Sequence, residues 1–310
     1  MNKIFAALFL HLSFAMAFAQ APLQSPEQFL GYPLGDRFTR HHRVVEYFQQ
    51  VAAARPNNVK FVQYGETYEH RPLVVAIIAS DENFKNLEQI RMDNLRRTGF
   101  EQGAPTTNVA LVWLSYNVHG NEANSTEASM KTLYELANPA NKDTQEWLKN
   151  TVVIIDPCIN PDGRDRYANY YNQYGNYPPD PSPDAKEHRE PWPGGRANHY
   201  LFDLNRDWAW ESQTESQARI KLYNQWMPHV HVDFHEQGYN SPYYFNPAAE
   251  PLHDVISKWQ REFETMIGRN NAKHFDEQGW LYFTKERFDL FYPSYGDTYP
   301  TYSGAIGMTF

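Results

Sequence analysis

His119 and Glu122 stand three residues apart around Gly120, within Ser115-Tyr116-Asn117-Val118-His119-Gly120-Asn121-Glu122. A tight turn there lets an imidazole and a carboxylate converge on one cation, and zinc takes such ligands. By itself an H-x-x-E pair is a weak signal, because it occurs by chance and is ordinarily a solvated turn. A catalytic zinc also needs a third protein ligand and an open position. Candidates lie along His229-Val230-His231-Val232-Asp233-Phe234-His235-Glu236. Strand alternation places His229, His231 and His235 on one face, so periodicity does not choose among them. For His229 and His231 a histidine satisfied within the core is the ordinary explanation. His235 ends the run, just before Glu236-Gln237-Gly238, and a strand end opening into a loop makes it the preferred ligand. The same alternation turns Glu236 to the opposite face. Cys158, the only cysteine, sits in Ile154-Ile155-Asp156-Pro157-Cys158-Ile159 and reads as a small buried residue at a strand end rather than a nucleophile.

Positioning these groups requires a scaffold. The apolar runs Val109 to Leu114 and Thr151 to Ile155 lack polar alternation, which predicts strands covered on both faces. Between them Asn124 and Glu127 resemble a cap, followed by Met130, Leu133, Tyr134 and Ala137 at helical spacing. Strand, helix, strand is the unit of an α/β sheet with a parallel pair. The ligand segment then lies at a strand end, where such sheets build sites. Upstream, Thr39 to Ala54 predicts an amphipathic helix. Phe61 to Tyr64 and Leu73 to Ala79 predict a hairpin, and Asp81 is expected to cap a helix reaching about Arg97. Tyr167 to Tyr200 shows no sustained period and reads as a long loop. Helices are expected from Glu211 to Trp226 and around Val255 to Ile267, with a strand from His229 to His235 between them. With no repeat present, a single α/β domain is the simplest account.

Hydrophobic residues make up 41% of the 310, enough for a large core, so general disorder is excluded. The formal charge of −9, with no clustered basic stretch, argues against nucleic acid or anionic membrane as partners. Met1-Asn2-Lys3, the apolar run Ile4 to Phe18 and Ala17-Phe18-Ala19 read as a signal peptide over residues 1–19. The protein is therefore expected to be exported, periplasmic or extracellular, and free of the membrane once the signal is removed. A lone cysteine makes no intramolecular disulfide, so stability must come from the core.

His119-x-x-Glu122, Asn160-Pro161-Asp162-Gly163, Asp203-Leu204-Asn205-Arg206-Asp207-Trp208 and Asp233-Phe234-His235 follow one another in the order and approximate separation of the zinc metallocarboxypeptidase family, the carboxypeptidase A-like peptidases. Tyr64-Gly65-Glu66-Thr67-Tyr68-Glu69-His70-Arg71-Pro72-Leu73 also resembles that family's N-terminal hairpin. The resemblance runs from about Thr39 to the last residue. It implies an α/β/α sandwich around a mixed, largely parallel sheet, with one zinc per chain held by His119, Glu122 and His235. Asp203 matches the carboxylate that holds the His119 ring in its tautomer. Asn205 and Arg206 match the pair that binds a substrate α-carboxylate, a task suited to the guanidinium fork. Arg196 matches the arginine beside the scissile carbonyl, with Arg189 as the alternative, while Arg164 and Arg166 read as structural. Tyr292 is the nearest match to the mobile tyrosine, with Tyr295 close by. Asn121 stands where many digestive members have arginine. The family's general base is a glutamate after an apolar, threonine-containing run such as Gly304 to Phe310. The sequence stops where that glutamate would come next, so a catalytic domain over 39–310 is expected to be C-terminally incomplete, after a lead over 20–38.

Three functions follow from the resemblance. One is hydrolysis at the C-terminal end of peptides carrying a free carboxylate. A second is hydrolysis of cell-wall peptides by the same site, and a third is a non-catalytic, zinc-dependent peptide-binding module.

Overall fold

In the computed structural model, the structure describes residues 21–310. The signal-peptide reading lies outside them. A six-stranded sheet forms the centre, built from β1 (Val59–Glu66), β2 (Pro72–Ile78), β3 (Ala110–Tyr116), β4 (Thr151–Asp156), β5 (Val230–Phe234) and β6 (Ile306–Thr309). The order across the sheet is β1-β2-β4-β3-β5-β6. The β1–β2 hairpin and the β2–β4 pair are antiparallel, whereas β3 runs parallel to both β4 and β5, and β5 parallel to β6.

Helices cover both faces, as strands apolar on both sides require. On one face α1 (His41–Ala54) and α3 (Asn124–Ala137) pack Val44, Phe48, Val51, Met130 and Leu133 against Ala76, Ile78, Val153 and Ile155. On the other, α2 (Leu87–Arg97) and α5 (Thr214–Trp226) pack Ile90, Leu95, Ile220 and Tyr223 against Ile77, Leu111, Trp113 and Ile154. Fully burying each large aliphatic side chain contributes about 1.5–3 kcal/mol. The expected α/β/α sandwich is the architecture found.

Several local expectations differ. The helix expected after Asp81 is split at Asn86, with Ser80 rather than Asp81 as cap. Pro161–Tyr174 is a helix, α4, where much of the segment was expected to be loop. Asn160 caps it by accepting a hydrogen bond from Gly163 N, and Pro161 occupies its first turn, where a missing N–H costs nothing. The capping box expected of Asn124 and Glu127 does not form: Ala123 is the cap, with no side-chain bond. Glu127 instead accepts hydrogen bonds from Thr39 N at 2.6 Å and from Arg164 at 2.6 Å inside the protein. A long helix, α6 (Lys258–Gln278), runs well past the expected Ile267.

Candidate metal centre

β3 ends at Tyr116, and Asn117 follows with φ 59°. Asparagine tolerates this left-handed conformation better than most residues. Its amide donates to the carbonyls of His119 at 2.7 Å and Glu122 at 3.0 Å, folding the segment back on itself. Gly120 is required at the bend, because a Cβ there would lie 2.2 Å from Arg164 N and 2.5 Å from Gly195 O. His119 and Glu122 are thereby delivered to the C-terminal end of β3, next to the end of β5.

His235 arrives from β5. Its Nδ1 lies 3.0 Å from one Glu122 carboxylate oxygen, and His119 Nδ1 lies 2.8 Å from the other. One ligand atom from each of the three residues falls within 4.8 Å of the others. Two imidazole nitrogens and a carboxylate oxygen are a donor set that zinc takes in catalytic sites. Each ring also has a carboxylate on its remaining nitrogen, the usual support for a metal-binding histidine. His119 Nε2 lies 3.1 Å from Asp203, and His235 Nε2 lies 2.7 Å from Asp233. The residues present fit the metal.

The electrostatics hold the carboxylates of the cluster ionised. Burial pushes the Glu122 carboxyl up, but hydrogen bonds from His119 and His235 outweigh it and bring the pKa down to about 2. Burial likewise opposes ionisation of Asp203, and the partnership with His119 overcomes it, holding that carboxyl well below the usual range. His231, by contrast, lies buried at the edges of the Trp208 and Tyr223 rings, and burial depresses its pKa to about 3. His229 Nδ1 accepts a backbone hydrogen bond from Leu111 at 3.0 Å. His231 is a core histidine and His229 is half-buried, and neither belongs to the cluster.

A cavity of about 650 Å³ opens over the three residues, lined also by Arg196, Asn205, Arg206, Glu236 and Tyr295. Tyr239, Tyr243, Tyr244 and Phe288 add an aromatic wall. Arg196 lies 3.7 Å from Glu122 and donates to Asp203 at 2.9 Å. Arg189 is instead tied to Asp184 at the surface and does not line the cavity. Arg164 and Arg166 spend their donors on backbone carbonyls, among them Ala123, Thr39 and Gly194, with Arg164 also on Glu127. Asn205 Oδ1 accepts from Gly296 N at 2.7 Å. Arg206 reaches over the Tyr295 ring at 4.5 Å. Tyr292 is not brought to the cavity: its hydroxyl accepts from Trp210 Nε1 at 2.8 Å, and Tyr295 stands in the lining instead.

One further outcome departs from the sequence reading. Glu236 was expected on the face opposite His235, but β5 ends at Phe234, so strand alternation does not reach it and its side chain lines the same cavity. Asn121, the departure from arginine, donates to Glu190 at 2.5 Å, and Glu190 also accepts from Gly195 N at 2.7 Å. The Asn121 bond ties the long loop to the turn that carries His119 and Glu122, and the Gly195 bond holds Glu190 in place for it.

Residues 44–284 match the sequence profile of the zinc carboxypeptidase family. No curated protein sequence matches the chain. Among solved structures, the metallo-carboxypeptidase of Burkholderia cenocepacia is similar with TM-score 0.56 at 15% identity, over 86% of this chain and 58% of that one. Carboxypeptidase A of Helicoverpa armigera gives TM-score 0.60 at 17% identity, over 90% and 65%. Bovine thrombin-activatable fibrinolysis inhibitor, solved in complex with tick carboxypeptidase inhibitor, gives 0.57 at 14%, over 89% and 86%. This chain therefore spans less than two thirds of the length of the first two, and at these identities the likeness is one of fold.

Proposed function

The chain belongs to the zinc carboxypeptidase family, and from that premise we propose that it is a zinc-dependent hydrolase that removes residues from the C-terminal end of peptides. One observation carries the reading: the cavity that holds His119, Glu122 and His235 also holds Arg206, an arginine with no ion pair among the described residues. When bound, zinc supplies Lewis-acid polarisation and activation of water. The protein's own residues do the rest. The Arg206 fork, with the Asn205 amide beside it, receives the terminal carboxylate through paired charge-assisted hydrogen bonds. Arg196, at the cavity wall beside Glu122, offers positive charge where the scissile carbonyl develops an oxyanion. Tyr295 packs beneath Arg206 and limits its swing.

A carboxylate must take the proton of the attacking water and pass it to the leaving amine. Glu236 is a carboxylate inside the described cavity that can take this role. An export signal over residues 1–19 belongs to the same proposal and sends the enzyme outside the cytoplasm.

Kinetics of the full-length, zinc-loaded protein on a peptide with a free C-terminus and on its amidated counterpart test this. The free peptide should lose its last residue while the amide resists. Equal cleavage of the two would contradict the carboxylate clamp.

A further inference from the structure

Each histidine of the cluster rests on a carboxylate, but the two carboxylates are placed differently. Asp203 sits at the cavity wall and shares its charge with Arg196. Asp233 lies in β5 with no exposed surface, between Ser115 of β3 and Thr309 of β6 in the sheet register. Its Oδ2 meets His235 Nε2 at 2.7 Å, while Oδ1 has no hydrogen-bond partner. The Asn205 amide also approaches that nitrogen, at 3.4 Å, so the shorter and charged contact is the one that holds the ring. Gly296 makes room for the carboxylate, since a Cβ there would lie 2.1 Å from Oδ2.

An ionised carboxylate inside a sheet is costly unless a charged or strongly donating partner meets it. Arg219 is the buried guanidinium whose charge reaches Asp233, yet it is stacked 3.9 Å from the Trp208 ring and makes no ion pair with Asp233. The direct partner is the His235 ring.

We propose that Asp233 is a positioning residue for His235: gripping Nε2 from inside the sheet, it turns the ring so that Nδ1 faces the metal site formed with His119 and Glu122. The chain thus supports its two histidines from two independent anchors, one at the cavity wall and one within the sheet. This inference rests on the proposed zinc site.

The test measures zinc dissociation constants by competition with a chelating dye, and visible absorption at saturating cobalt(II), for wild type, Asp233→Asn, Gly296→Ala and His235→Ala. Asp233→Asn keeps the shape but not the charge, so zinc affinity should fall by about 10–100-fold, and the cobalt spectrum should shift because the ring coordinates from a different orientation. Gly296→Ala should lower affinity in the same direction by displacing the carboxylate, and it carries the affinity test alone if Asp233→Asn does not fold. Wild-type affinity in the folded variants, or a loss of affinity with an unchanged cobalt spectrum, overturns the positioning role. If His235→Ala retains zinc, the metal reading itself fails, which separates that failure from a failure of the Asp233 inference alone.

Discussion

Among the described residues Arg206 has no carboxylate partner and it lines the cavity, which suits it to the anion-binding role proposed for it. Arg206 donates one hydrogen bond to the Asn205 carbonyl and lies over the Tyr295 ring, which leaves the rest of its fork to a ligand. Lysine at this position keeps the charge but loses the paired geometry. Arg206→Lys is therefore expected to lower kcat/KM on free-carboxylate peptides roughly 10–100-fold, since hydrogen bonds to charged groups contribute about 1.5–3 kcal/mol. Steady-state kinetics check it, and a variant within about twofold of wild type would assign the carboxylate to another group. At this scale the candidate cluster was legible because His119 and Glu122 are neighbours in sequence and His235 ends an apolar run. The partner of His235 was not. Asp233 is two residues away in β5, which ends one residue before His235, but no sequence pattern says that their side chains meet. The choice between Tyr292 and Tyr295 was also hidden, because it depends on which ring packs on Arg206 and which bonds to Trp210.

Among the elements, α3 and α4 are locked together by a buried ion pair. Arg164 and Glu127 lie 2.6 Å apart with side-chain exposures of 0% and 6%, and both also bind Thr39, two residues before α1. Removing one partner strands a buried charge, which costs about 3–5 kcal/mol. Glu127→Ala should therefore lower unfolding stability by about that amount in urea titrations, whereas a loss below about 1 kcal/mol would mean the pair is replaceable by water. The same residue shows why element boundaries were hard to read. Glu127, three residues after Asn124, has the spacing of a capping box, and only the tertiary partner Arg164 draws it inward. Helix α4 was half hidden because Asn160-Pro161-Asp162-Gly163 looks like a turn and the following tyrosines and asparagines carry little helical periodicity. Glu236 was misplaced because strand alternation was carried past the point where β5 stops.

Glu122 and His235 are 113 residues apart, yet they meet because β3 and β5 are parallel neighbours that pair Trp113 with His231 and Ser115 with Asp233. The site forms where both strands end together, and the sandwich was legible because covered parallel strands leave continuous apolar runs. Which of the three β5-region histidines would reach the site depended on where that strand ends in space. Zinc content of the purified full-length protein and of His235→Ala and His231→Ala, measured by elemental analysis, tests this central assignment most directly. The account predicts one zinc per chain in wild type and in the folded His231 variant, and little in the His235 variant. Zinc lost with His231 and retained without His235 would contradict it.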